Sequence, residues 1–206
     1  MISLFLDTSS KKLVVILVKD NEVIGKKELE SINDHASYLV PFINELLSDN
    51  KITTKDINKI FVVNGPGSFT GTRIGVTVGK TLAYSNDISV VPVSSLKQYI
   101  FSKSGYDYYV SIINDKNDRL YYGIYDKDYN DIVVDKYSTI EVFNKDINTL
   151  NGKVLFISDN EIPNIDIVKK ELDIIKLIDY YKDKEIRCHD LKPNYLKKID
   201  AESLLW

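Results

Sequence analysis

Cysteine, histidine and glycine are all scarce in this 206-residue chain. Cys188 stands alone, which excludes a disulfide framework and fits a reducing compartment. The two histidines, His35 and His189, are far apart, and His35 is followed four residues on by Leu39, so no helical ligand pair forms. That inventory predicts no bound metal. No apolar run approaches the roughly 20 residues needed to cross a bilayer. The opening MISLFLDTSS has no basic leader and meets Asp7 too early for a signal peptide, so a cytoplasmic protein is expected. Basic clusters are missing too. Residues 1–104 carry 12 Lys and Arg against 10 Asp and Glu, and residues 105–206 carry 15 against 20, so neither half has the footprint of a chain that grips nucleic acid by itself.

What is there is an ordinary globular composition, 44% hydrophobic and 28% charged, and one unusual stretch, GPGSFTGTRIGVTVGKTLAYS from Gly65 to Ser85. An apolar run ending at Val63 and Asn64 feeds a Gly-Pro-Gly turn. Thr70 is the expected N-cap of a helix over 71–85. In that helix Gly71, Gly75, Gly79 and Ala83 recur every four residues and form one bare stripe. Each glycine costs about 1 kcal/mol relative to alanine, so the stripe needs a reason. One is close packing on the helix's own sheet or a neighbouring helix. The other is docking to a second chain, and both hold if different faces are used. Gly65 and Gly67 are expected to be structural, taking positive φ or bringing backbones close. The loop is neither a Walker A loop nor a dinucleotide fingerprint, whose third glycine would fall one residue before Gly71.

In chain order, strands are expected over 2–7, 13–18 and 22–29, the last two joined by a tight Asp20-Asn21 turn. Asn33 and Asp34 cap a helix whose Ala36, Leu39, Val40, Ile43, Leu46 and Leu47 make a continuous apolar face. Strand 59–64, the glycine-striped helix, strand 89–93 and a helix to about Lys103 complete a β-β-β-α-β-α-β-α lobe, residues 1–104. A second lobe, 105–206, is expected to repeat three strands and then helix, strand, helix. Its strands are placed at 109–113, 120–125 and 132–137, with Asn117-Asp118 in the first turn. Then follow a helix capped by Ser138 and Glu141, strand 154–157, helix 166–172 and a weak strand 174–177. Twelve of the fourteen tyrosines lie from Tyr99 onward and read as half-buried sheet positions.

With these residues in place the chain resembles the TsaB family (formerly YeaZ), the dimerisation subunits of the bacterial tRNA threonylcarbamoyladenosine machinery. The likeness rests on DTS at Asp7 to Ser9, DHASYLVPFINELL at Asp34 to Leu47, GPGSFTGTRIG at Gly65 to Gly75, KTLAYS, and VPVSSL at Val91 to Leu96. More weakly, it includes DKNDRLYYGIY and the tail LKPNYL…AE. The resemblance implies an α/β fold of the ASKHA (actin/Hsp70/sugar kinase-like) type with two related lobes. It implies a non-catalytic subunit that supports a TsaD-like catalytic partner, with a TsaE-like ATPase as third component, a homodimer when alone, and tRNA contacted only indirectly. The chain alone is expected to hold no cofactor, with ATP or ADP at the junction with the partner left open and without assigned residues.

Two rival functions are weaker. The His-x-x-x-His metal pair of the catalytic relative falls on Ser95 and Tyr99. A small-molecule kinase would need Asp-x-Gly turns, but Asp7 is followed by Thr8-Ser9 and Asp115 by Lys116-Asn117, and only Gly123 and Gly152 follow Gly105. A peptidase-like hydrolase would need a nucleophile elbow that Gly67-Ser68-Phe69 does not supply. The expected working surface is a helix–helix seam made by Leu39, Ile43, Leu46, Gly71, Ile74, Gly75, Val78, Gly79 and Leu82.

Overall fold

Asp20 and Asn21 adopt φ of 48° and 65°, the double left-handed turn that matches the twist of a tight hairpin. The computed structural model describes residues 1–30, 34–163 and 165–197. In it this turn joins β2 (Lys12–Lys19) to β3 (Glu22–Glu30). β2 also pairs antiparallel with β1 (Ile2–Asp7), and β4 (Lys59–Gly65) and β5 (Ser89–Ser94) add in parallel. The sheet order is β3-β2-β1-β4-β5. Leu4, Leu6, Leu13, Val15, Leu17, Ile60 and Val62 share one core with the inner faces of α1 (His35–Asp49) and α2 (Phe69–Asn86).

The second sheet repeats that plan. Asn117 and Asp118, at φ of 59° and 54°, turn β6 (Tyr108–Asn114) into β7 (Arg119–Asp126). β8 (Asp131–Thr139) follows antiparallel, while β9 (Val154–Ile157) and β10 (Ile167–Val168) pair in parallel on the other side, giving the order β10-β9-β6-β7-β8. Here α3 (Ile140–Ile147) lies between β8 and β9. Among the described residues no helix joins β9 to β10, so the second sheet lacks a counterpart of α2.

The chain divides into two units, but not at the expected 104/105 boundary. One unit is Met1–Ser95 with Ile174–Asn194, and the other is Leu96–Asp173 with the chain from Tyr195. The return follows from α4 (Ile174–Tyr181), whose Ile174, Leu177, Ile178 and Tyr181 are buried at helical spacing. A strand was expected over the first four of those residues and a helix over 166–172. Instead Ile167 and Val168 pair with Phe156 and Ile157 as β10. The helix expected to reach Lys103 is a 3₁₀ segment, Lys97–Ser102. The cap of α3 is Thr139, which accepts from the Val142 N–H, not Ser138. Ala36 and Val40 lie on the exposed side of α1, so its buried face is narrower than the sequence suggested and includes His35 instead. No helix among the described residues is long and apolar enough to cross a membrane.

The tyrosines of the second sheet are half-buried or buried, as expected, and several bind carboxylates. The Tyr122 hydroxyl donates to Asp146 at 2.5 Å, and the Lys136 ammonium meets the same carboxylate at 2.6 Å. Burial first, then the bond to Asp146, push the Tyr122 phenol up to about 12 against the pull of Lys136. A phenol raised in the folded state stabilises that state fully below its unfolded pKa of about 10, and the contribution is lost as pH climbs through the folded value. Tyr122→Phe is therefore expected to flatten the loss of stability between roughly pH 10 and 12, measured as melting temperature against pH.

Candidate functional site

The end of β1 and the start of α2 are built around one another. Asp7 is 3% exposed, and its Oδ1 accepts both the Ser9 N–H (2.8 Å) and the Ser9 hydroxyl (2.7 Å). The Ser9 carbonyl accepts the Ser68 N–H at 2.7 Å, tying the turn to the Gly-Pro-Gly loop. Thr8 reaches further. Its hydroxyl donates to the Gly71 carbonyl (2.6 Å) and accepts the Gly75 N–H (3.1 Å), so it bridges a pair of groups one helical turn apart.

This bridge explains the glycine stripe. A Cβ at Gly71 would sit under 3.0 Å from the Thr8 carbonyl oxygen, one at Gly75 equally close to the Thr8 hydroxyl, and one at Gly79 2.5 Å from Val62 Cγ2. Gly67 approaches the Ser9 carbonyl in the same way, and Gly65 holds φ of 112°. The stripe thus serves contact with the chain's own first sheet. The helix begins at Phe69, two residues earlier than expected, because Ser68 rather than Thr70 is its N-cap and accepts the Gly71 N–H.

The expected seam is accordingly divided. Gly71, Gly75 and Gly79, with Leu39, Ile43 and Leu46, are buried within their own unit and cannot face a second chain. Ile74, Val78 and Leu82 remain half-exposed along α2. On α1, which contacts α2, Tyr38 is 43% exposed, with Phe42 half-buried 5.7 Å from it, ring to ring, while Val40 (46%) is exposed on the other side of the buried Leu39 stripe. At the head of α2 the Arg73 guanidinium lies 3.8 Å above the Phe69 ring. Tyr38, Phe42 and Phe69 were missed in the sequence reading. The four-residue spacing of Tyr38 and Phe42, a second stripe beside the buried one, was the signal.

The chemistry on offer is small. The donors that a turn such as Thr8-Ser9 would give a phosphate, the Ser9 N–H and hydroxyl, both go to Asp7. The Ser95 hydroxyl binds the Pro66 carbonyl, and Tyr99 carries the Lys170 ammonium 5.3 Å over its ring. Among the described residues no three His, Cys, Asp or Glu side chains are grouped to hold a metal ion. His35 is buried, with a ring nitrogen 3.3 Å from the Lys11 carbonyl, and the His189 ring lies against Tyr84.

The family model of TsaD, tRNA N6-adenosine threonylcarbamoyltransferase, matches residues 23–171. The chain belongs to this family. Several of the curated proteins it resembles are named TsaB. It is 37% identical to the tRNA threonylcarbamoyladenosine biosynthesis protein TsaB of Bacillus subtilis, over 59% of this chain and 54% of that protein. With the protein of that name in Escherichia coli it shares 30% over 63% of this chain and 57% of that one, and with that of Buchnera aphidicola (from Acyrthosiphon pisum) 28% over 79% and 78%. The match therefore spans about half the length of the first of these relatives. YeaZ from Pseudomonas aeruginosa has the same fold, with a TM-score of 0.76 at 20% identity, over 94% of this chain and 100% of that one. The repeated three-antiparallel, two-parallel sheets agree with the two-lobed α/β fold of the ASKHA type expected for this family.

Proposed function

We propose that this chain is a non-catalytic subunit of tRNA threonylcarbamoyladenosine synthesis that docks onto a TsaD-like catalytic subunit and supports its activity. The observation that carries the reading is the contrast between the two sides of α2. Its inner side is sealed onto Thr8 and Val62, whereas Ile74, Val78 and Leu82, packed in part against the core, stay half-exposed on α2, and Tyr38 is exposed on α1. An apolar patch on two adjacent helices, with aromatic residues in it, is the kind of surface that protein partners cover.

In this reading the same patch pairs with a second copy when the catalytic partner is absent, and a TsaE-like ATPase joins the assembly. The tRNA is held by the complex rather than by this chain. The chain holds no metal or cofactor of its own, and any ATP or ADP sits at the junction with the partner. The self-bonded Asp7–Ser9 turn supports this, because an anion there would have to displace Asp7 from both Ser9 donors. A kinase or hydrolase has no comparable support.

Val78→Glu tests the reading. A charge at the centre of a desolvated patch costs at least about 2 kcal/mol, so binding to the TsaD-like subunit is expected to weaken at least roughly 30-fold while the melting temperature stays near wild type. Binding by titration calorimetry that is unchanged in a folded Val78→Glu protein would move the interface elsewhere.

A further inference from the structure

The last part of the first unit, residues 182–194, contains only one short 3₁₀ turn, Cys188–Asp190, yet it is tied down at every few residues. At its start the Lys59 ammonium takes the Lys182 carbonyl and the Glu185 carboxylate, the latter at 2.5 Å. The Ile186 N–H donates to the Val90 carbonyl at 2.8 Å, so the segment closes onto β5, the edge strand of the first sheet. It then crosses α2. There the Lys80 ammonium donates to the His189 carbonyl (2.9 Å) and the Leu191 carbonyl (3.5 Å), Tyr84 meets the His189 ring at 5.4 Å, and Leu191, 1% exposed, enters the core. It ends on the Gly-Pro-Gly loop. Asn64 Nδ2 donates to the Lys192 carbonyl (3.0 Å), the Asn194 N–H donates to the Asn64 carbonyl (2.7 Å), and a Cβ on Gly65 would lie 2.9 Å from the Asn194 carbonyl oxygen.

We propose that residues 182–194 are a strap that latches the Gly-Pro-Gly loop, with Lys80 as its clasp, so that the loop is held in shape only while the strap is seated on α2. Two features single out Lys80. Its ammonium is bonded to two strap carbonyls rather than to a carboxylate, and those carbonyls belong to a segment without a ladder of its own. Removing the cation leaves the strap held between Ile186 and Asn194 by the burial of Leu191, the Tyr84–His189 ring contact and the Asn64–Lys192 bond. Asn64 then makes the connection: the residue that receives the strap immediately precedes Gly65, so unseating removes both ties of Asn64, backbone and side-chain, and leaves the loop only its bonds to Ser9 and Ser95. The inference does not depend on the functional reading above, since every contact lies within the first unit.

Residue-resolved amide hydrogen exchange on the full chain tests this. In Lys80→Met the Ile186 and Asn194 amides are expected to exchange at least tenfold faster than in the unmodified chain. The Ser68 and Ser95 amides, which report on the loop through the Ser9 and Gly65 carbonyls, are expected to follow by a similar factor. The β1–β2 and β6–β7 ladder amides serve as controls for global unfolding and should not change. Lys80→Arg, which keeps the charge and donors, should leave all four reporters protected. Faster exchange in the strap with an unchanged loop would overturn the coupling, and an unchanged strap in Lys80→Met would overturn the clasp. Should Lys80→Met raise the control amides as well, Asn64→Ala replaces it: loop exchange must rise there without loss of the Ile186 bond, and failure to do so sinks the proposal.

Discussion

Gly75→Ala is expected to destabilise the first unit by roughly 1–3 kcal/mol, the cost of overpacking a close contact, and Thr8→Ala in the same molecule is expected to recover most of that loss. All three atoms nearest the added Cβ belong to the Thr8 side chain, so removing the hydroxyl and methyl removes the clash. Thr8→Ala alone should cost about 1–3 kcal/mol, because the Gly71 carbonyl and Gly75 N–H lose their bridging hydroxyl in a buried place. The pair is therefore strongly non-additive. Gly71→Ala gives the contrast: its added Cβ meets the Thr8 main-chain oxygen, which no side-chain change at Thr8 can withdraw. Urea denaturation of the two cycles separates them. Rescue of Gly71→Ala by Thr8→Ala, or no rescue of Gly75→Ala, would show that the hydroxyl bridge is not what the stripe accommodates.

Phe143→Ala should be the most damaging single change in the second unit, at roughly 3–5 kcal/mol. Phe143 is fully buried, is the one buried residue of α3, and packs edge-on against the Tyr122 ring at a centroid distance of 5.0 Å. Without it α3 has no buried side chain to hold it against the sheet. Exchange protection should collapse in β7, β8 and α3 and persist in β1, β2 and β4. Uniform loss across both sheets would mean that the two units unfold as one.

Much of this architecture could be read from the residues because the signals were local. Asp20-Asn21 and Asn117-Asp118 tolerate left-handed φ and sit between apolar runs, so both hairpins and the strands flanking them were expected. The glycine spacing likewise revealed a helix with a smooth face. Which way that face points was not legible, because its partner, Thr8, lies 63 residues from Gly71 and no periodicity links them. The same limit hid the inner burial of Leu39, Ile43 and Leu46, which are as apolar as a docking ridge. The exchange of helix and strand over 166–181 has another cause. Ile174 begins a helical repeat that completes only at Tyr181, and its first four residues alone look like a short β-branched run.

The discontinuity of the first unit has a consequence for synthesis. Its core needs Leu191, and the outer edge of β5 needs Ile186, yet both are made only after residues 96–173. At roughly 5–20 residues per second the intervening stretch takes on the order of ten seconds. During that interval the nascent first sheet is complete in its strands but open along β5, where the Val90 carbonyl has no partner from residues 1–95 among the bonds that will later hold it. An open parallel edge is the part of a sheet most exposed to mispairing. The first unit begins to fold first but can close only after residues 96–173 have been made.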